Sequence, residues 1–195
     1  ETAKYRIATI AKKEQKRNAP APYTTSKLQQ DATGYLRFTA KRTMSVAQKL
    51  YEGVDLKKDG GPVGLITYMR TDSMRVSQDA IDAVRVHIEE KYGADFLPQK
   101  PNVFRAKKNA QEAHEAIRPA GETFRTPDSL TGELRGEEMR LYDLIWKRTV
   151  ASQMVDARGQ SVSVRIGATA SDGRDAEVGA SGRSITFPGY LRAYV

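Results

Sequence analysis

The chain opens on an alternation. Lys4-Tyr5-Arg6-Ile7-Ala8-Thr9-Ile10 sets polar residues against apolar or β-branched ones with the period of a strand. Lys12, Lys13, Lys16 and Arg17 follow and read as an exposed basic arm, after which Pro20 and Pro22 impose an extended connector. Thr24, Thr25 and Ser26 are cap residues ahead of a short helix over 27–32 that Gly34 can close. A second helix is expected over about Thr43 to Tyr51, with Met44, Ala47 or Gln48, and Tyr51 on one side and Gly53 after it. Two short helices separated by a turn and flanked by Lys and Arg resemble a helix-turn-helix arrangement.

Asp59-Gly60-Gly61-Pro62 breaks the chain before Val63-Gly64-Leu65-Ile66-Thr67-Tyr68-Met69, which reads as a short, largely buried strand followed by a polar loop, Arg70 to Arg75. Ser77 heads a helix with Asp79 in its first turn, an apolar stripe of Ile81, Val84 and Ile88, and Gly93 at its end. The stretch 94–131 is loop-rich. A last long helix is expected from about Gly136 to Met154, with Met139, Tyr142, Trp146 and Val150 at core spacing. Beyond Ala157, Val162, Val164 and Ile166 alternate with polar residues, turns are expected at Asp172-Gly173 and Ser181-Gly182, and further strands at Ile185-Thr186-Phe187 and Tyr190 to Val195. Strands at both ends around a helical middle predict an α+β chain. A mostly helical, winged-helix or CAP-like domain, residues 25–154, is inserted into a β-rich domain formed by residues 1–24 and 155–195.

Composition narrows the chemistry. The 195 residues contain no cysteine, which removes disulfide scaffolds, thiolate zinc fingers and cysteine nucleophiles. No apolar run is long enough to cross a bilayer, and the first residues have no signal-peptide core, so no membrane partner and a cytoplasmic setting are expected. The formal net charge is +8, and residues 1–50, with 11 Lys and Arg against 3 Asp and Glu, carry the whole surplus. A localised basic segment favours a polyanion, most commonly nucleic acid.

His87 lies mid-helix, and His114 begins H-E-A-I-R, which lacks the second histidine of a zinc-binding H-E-x-x-H helix. No glycine pattern makes a phosphate-cradling loop or a dinucleotide fingerprint. Tyr68 stands out because it ends an apolar run just before Arg70, Thr71, Asp72 and Ser73. A phenol titrates near pH ~10, so a tyrosine nucleophile needs cations or a metal to receive developing charge; Arg70, Arg118 and His114 can supply part of that. The plain alternative is a tyrosine that packs a strand.

The stretch from Gly64 to Ser73, G-L-I-T-Y-M-R-T-D-S, resembles the nucleophile motif of the type IA DNA topoisomerases. Pro20 to Gln30, Thr43 to Glu52 and Gln111 to Pro119 match the same family in order, as do Leu144 to Arg148 and Ala151 to Met154. The resemblance covers nearly the whole chain. It implies a tyrosine that attacks single-stranded DNA to form a 5′-phosphotyrosyl link, allows strand passage and relaxes negative supercoils. Tyr68 takes the nucleophile's place, Arg70 that of the scissile-phosphate contact, and His114 that of the histidine that supports DNA placement and cleavage. Asp72 is implied to orient Arg70, and Arg118 to contact phosphate. Lys27, Gln29 and Glu115 are implied as further DNA-binding residues.

Family members hold magnesium on an acidic cluster in a toprim domain, and no D-x-D-x-E pattern occurs here. The resemblance therefore implies a central fragment: a tyrosine-bearing helical domain and part of a β-rich arch. It is expected to hold no metal, to be inactive without the toprim and other domains of its polypeptide, and to belong to a nucleoid-associated bacterial enzyme. Three rivals predict otherwise. A noncatalytic winged-helix-like module would bind duplex DNA and leave Tyr68 inert, a tyrosine recombinase would form a 3′ link, and a purely bridging arch would account for none of the ordered motifs.

Overall fold

The computed structural model describes residues 4–104, 114–121 and 125–195. In chain order its elements are β1 (Lys4–Arg17), α1 (Thr25–Asp31), α2 (Ala40–Glu52), β2 (Val54–Leu56), β3 (Gly61–Val63), α3 (Gln78–Tyr92), α4 (Gly136–Ser152), β4 (Ala157–Thr169) and β5 (Asp175–Phe187). A π-helical turn, Ala32–Leu36, follows α1, and 3-10 turns cover Ala94–Phe96, Asp128–Leu130 and Gly189–Tyr194.

The alternation that opens the chain does not stop at Ile10. β1 runs antiparallel to β4 from Lys4 opposite Thr169 to Arg17 opposite Ala157, with one register slip between Ile7 and Thr9. The expected basic arm is therefore strand: pairing with β4 satisfies its backbone groups, and Lys16 reaches Asp156 at 2.7 Å. β4 pairs in turn with β5, giving the sheet order β1-β4-β5. Gly173, at φ 82°, closes the turn between them. Ser181-Gly182 is not a turn, since both residues pair inside β5 with Ser163 and Val162.

Contacts divide the chain into two units, Glu1–Asn18 with Asp156–Gly189, and Ala19–Val155 with Tyr190–Val195. The boundaries differ from those expected. The proline connector belongs with the helices, because Tyr23 is fully buried among them. So do the last six residues: Tyr190 to Val195 form a 3-10 turn rather than a strand, pinned where the Tyr190 N–H donates to the Val155 carbonyl at 2.9 Å.

In the helical unit α4 is the spine. Leu141, Tyr142, Leu144, Ile145, Trp146, Val150 and Ala151 are buried along it, against Leu28, Val46, Leu50, Leu65, Val84, Ile88 and Ile117. Each such large aliphatic side chain contributes roughly 1.5–3 kcal/mol on burial. α2 begins at Ala40, where Thr39 caps it by accepting the Arg42 N–H. Its buried face is Thr43, Val46, Ala47 and Leu50, one position off the expected stripe, so Tyr51 is left 42% exposed. α3 buries Ala80, Val84 and Ile88, with Ile81 half-buried beside them. α1 passes into the π-helical turn, which closes on Arg37 in the left-handed region, φ 61°, rather than on Gly34.

Of the stretch expected as a strand, Val63 to Met69, only Val63 pairs regularly; Gly61 and Pro62 of the expected break are strand instead, the three residues pairing with Val54–Leu56. From Gly64 onward the chain is held by separate bonds to other segments. The Leu65 N–H donates to the Leu50 carbonyl at 2.7 Å and the Thr67 N–H to the Arg118 carbonyl at 2.9 Å, with an isolated bridge between Ile66 and Pro119.

Candidate active site at Tyr68

Past Thr67 the chain forms no regular element, bending at Met69 and Arg70, yet burial alternates from Met69 to Ser73. Met69, Thr71 and Ser73 are buried while Arg70 and Asp72 are exposed, with Tyr68 half-buried. This pattern leaves Tyr68, Arg70 and Asp72 of T-Y-M-R-T-D open to solvent and anchors Met69, Thr71 and Ser73 in the core.

A cavity of about 740 Å³ opens at that surface. Tyr68, Arg70, Asp72 and His114 line it, together with Gln29 and Thr25. The Tyr68 ring meets the His114 ring at 5.3 Å between centroids and the Tyr51 ring edge-on at 5.4 Å. Tyr51 is thereby explained: the shift of the buried face of α2 leaves it free to meet Tyr68.

His114 reaches the cavity because the chain after it is stitched on several sides. The Ala116 N–H donates to the Arg75 carbonyl at 2.8 Å, the Ile117 N–H to the Tyr23 carbonyl at 2.8 Å, and the Ala120 N–H to the Leu65 carbonyl at 2.9 Å. Thr67 adds a side-chain stitch, its Oγ1 donating to the Ala116 carbonyl at 2.7 Å and accepting the Arg118 N–H at 3.0 Å. Residues Gln111 to Ala113 of the matched motif lie outside the described residues.

Three residues expected at the DNA have partners within the protein. The Arg118 guanidinium, 9% exposed as a residue, donates to Glu115 Oε2 at 2.6 Å, to the Pro119 carbonyl at 2.7 Å and to Ser77 Oγ at 3.2 Å. Glu115 also accepts the Ser77 N–H at 3.3 Å. Burial alone would raise the Glu115 carboxyl, but the hydrogen bonds and charge of Arg118, helped by Ser77 and Arg75, outweigh it and hold the group below its ordinary value. This pair secures the loop behind His114. Lys27 turns back along α1 to Asp31, at 2.9 Å.

Thr25 is the residue that sequence reasoning misses. T-T-S reads as a cap cluster, yet Thr24 does the capping, accepting the Lys27 N–H. That frees the Thr25 hydroxyl for the backbone on both sides of Arg70.

Among the described residues no group of three or more His, Asp or Glu side chains is set to hold a metal ion. The carboxylates beside Tyr68 do not suit magnesium, since Glu115 is committed to Arg118 and Asp72 has no second carboxylate with it in the cavity lining.

The fold agrees with that of the proteins the chain resembles. A family model described as DNA topoisomerase matches residues 1–195. The chain is 53% identical over 196 residues to DNA topoisomerase 1 of Streptomyces coelicolor, covering 100% of this chain and 19% of that protein. Against DNA topoisomerase 1 of Mycolicibacterium smegmatis the identity is 50% over 194 residues, 99% of this chain and 20% of that protein. The structure of full-length topoisomerase I from Thermotoga maritima superposes with a TM-score of 0.80 at 34% identity, over 97% of this chain and 29% of that one. The chain belongs to the DNA topoisomerase family, with bacterial DNA topoisomerase I as its kin. It spans about a fifth of the length of the curated relatives it matches. Among the described residues no helix is long and apolar enough to cross a membrane.

Proposed function

We propose that this chain is the tyrosine-bearing part of a type IA topoisomerase and that Tyr68 cleaves single-stranded DNA. The observation that carries the reading is that Tyr68, Arg70, Asp72 and His114 line one open cavity. The Tyr68 oxygen attacks a backbone phosphorus, forming a 5′-phosphotyrosyl bond as the bond to the 3′ oxygen breaks. The phenolic proton leaves and a proton is delivered to the departing 3′-hydroxyl; His114, beside the Tyr68 ring, is the group suited to carry one. Arg70 neutralises charge on the phosphorane oxygens, its planar fork matching two of them. Asp72, two residues on and in the same cavity lining, orients that guanidinium. Glu115 and Arg118 act behind the site, as positioning residues for the His114 loop. Magnesium, expected in a toprim domain, enters no step taken by these residues.

The reverse attack of the 3′-hydroxyl restores the strand, and passage of another strand between the two steps relaxes negative supercoils. Taken alone the chain is proposed to bind single strands weakly, in a salt-sensitive way, and to leave supercoils unrelaxed.

The test uses the full-length polypeptide with an oligonucleotide labelled at its 3′ end, which stays with the protein after 5′ attachment. The adduct is expected with the native protein and absent in Tyr68→Phe, whose DNA affinity is little changed. An adduct seen only with 5′ label would point to recombinase-like chemistry and overturn the reading. A winged-helix module would yield no adduct at all.

A further inference from the structure

The Arg70 Cα lies between two peptide groups, and both are bound by one side chain from a different element. Thr25, the first residue of α1, donates its Oγ1 proton to the Met69 carbonyl at 2.8 Å, with the Thr71 carbonyl at 3.1 Å. The same oxygen accepts the Thr71 N–H at 2.9 Å. The Thr25 backbone N–H completes the set, donating to the Thr71 carbonyl at 2.9 Å. The Met69 carbonyl and the Thr71 N–H are the polar groups immediately before and after the Arg70 Cα, so fixing both fixes φ and ψ at Arg70. Nothing else about Arg70 is so constrained: its side chain is exposed and it sits at a bend outside any regular element.

A β-branched residue suits the task. Its χ1 is restricted, so the hydroxyl has fewer bearings open to it than that of serine. α1 is in turn fixed to the core through Leu28 and Asp31, both buried. The nucleophile loop is thus tied on two sides, by Thr67 to the His114 segment and by Thr25 to α1.

From this geometry we infer that Thr25 is a positioning residue for cleavage, acting through Arg70 by setting the direction from which the guanidinium meets the scissile phosphate. The inference rests on the proposed role of Tyr68 and Arg70. It assigns Thr25 no contact with DNA.

The experiment measures single-turnover formation of the covalent adduct, and separately oligonucleotide affinity, in the full-length polypeptide. Thr25→Val keeps the shape and removes the hydroxyl; it is expected to slow cleavage by about 10–100-fold, the scale of an ångström-sized misplacement, with affinity within about threefold of native. Thr25→Ser restores the hydroxyl and is expected to recover most of the rate. Acting through Arg70, the Val substitution should add little to Arg70→Ala, so the double variant cleaves no more slowly than Arg70→Ala alone. Additive losses would overturn the inference, as would a Thr25→Ser as slow as Thr25→Val. A native rate in Thr25→Val, with the adduct still dependent on Tyr68, would overturn the role of Thr25 alone. An adduct that survives Tyr68→Phe would remove the reading of Tyr68 and this inference with it.

Discussion

The imidazole of His114 lies against the ring of Tyr68, 5.3 Å between centroids and tilted by 43°. The two residues are 46 positions apart in the chain, and Thr67, the neighbour of Tyr68, brings them together by bonding to Ala116 and Arg118. Tyr51 covers another side of the Tyr68 ring, so the phenol is bracketed before any DNA arrives.

Under the proposed function, that bracket suits His114 to proton transfer. His114→Ala is expected to slow adduct formation in the full-length polypeptide by about 10²–10⁴-fold, the usual contribution of a positioned acid or base. Oligonucleotide affinity should change by much less. Single-turnover cleavage and a binding titration on the same variant check both, and an unchanged cleavage rate would remove His114 from the chemistry.

The glycine of G-L-I-T-Y has a steric reason. A Cβ on Gly64 would stand 2.8 Å from the Tyr51 carbonyl oxygen, a backbone atom that cannot swing away. Gly64→Ala is expected to destabilise the helical unit by about 1–3 kcal/mol through overpacking. It should also slow cleavage, because the group displaced belongs to the residue whose ring touches Tyr68. Urea unfolding followed by the fluorescence of Trp146, the single tryptophan, measures the first effect; an alanine variant as stable as the native chain would refute the steric account.

The Glu115–Arg118 pair gives a pH-dependent prediction. The Glu115 carboxyl is held below its ordinary value of 4.5 in the folded chain, so its contribution is present above that value and fades as pH falls through the depressed one. Glu115→Gln is therefore expected to lower stability at pH 7 by about 1–2 kcal/mol, and by less at an acid pH below that ordinary value. Urea midpoints of the two proteins at both pH values decide it. A gap undiminished in acid would mean that the carboxylate charge is not what secures the loop.

Part of the fold is legible locally: α3 buries Ala80, Val84 and Ile88 at helical spacing, α4 lies where its apolar run puts it though it is buried on most sides, and Gly173 marks the β4–β5 turn. What escapes is set by partners distant in the chain. Lys12 to Arg17 reads as a solvated arm until β4 arrives to pair with it, roughly 150 residues later. Tyr190 to Val195 carries strand-like residues, but one bond to Val155 and the burial of Ala193 turn it into the helical unit. That Tyr68, Arg70 and Asp72 share a cavity lining is legible because they stand close together in sequence, and His114 joins them through a segment marked by its motif. Arg118 and Lys27 pair with carboxylates three and four residues away, but the groups that fix those carboxylates, Ser77 and Arg148, lie 38 and 117 residues off. Thr25 is hidden for the same reason: its partner, Thr71, is 46 residues away.

The firmest anchor of α1, and hence of Thr25, is a buried cluster around Asp31. Its carboxylate accepts from the Arg148 guanidinium on α4, from the Tyr23 hydroxyl at 3.0 Å and from Lys27 at 2.9 Å, and the Asp31 and Arg148 side chains are each only 10% exposed. Arg148 also lies over the Tyr23 ring, 4.4 Å from its centroid. Burial pushes the Tyr23 hydroxyl well above its ordinary range, so it stays protonated and donates at every relevant pH. Asp31 is thus the one anion among two cations and a donor. Removing it strands a desolvated guanidinium, so Asp31→Ala is expected to cost roughly 3–5 kcal/mol, far more than loss of an exposed pair. Replacing both partners, Asp31→Leu with Arg148→Met, leaves no orphaned charge and should recover most of that loss. Trp146 fluorescence during urea unfolding reports the helix that carries Arg148. A single Asp31→Ala variant within 1 kcal/mol of the native chain, roughly the worth of a surface pair, would show that the cluster does not hold α1 in place.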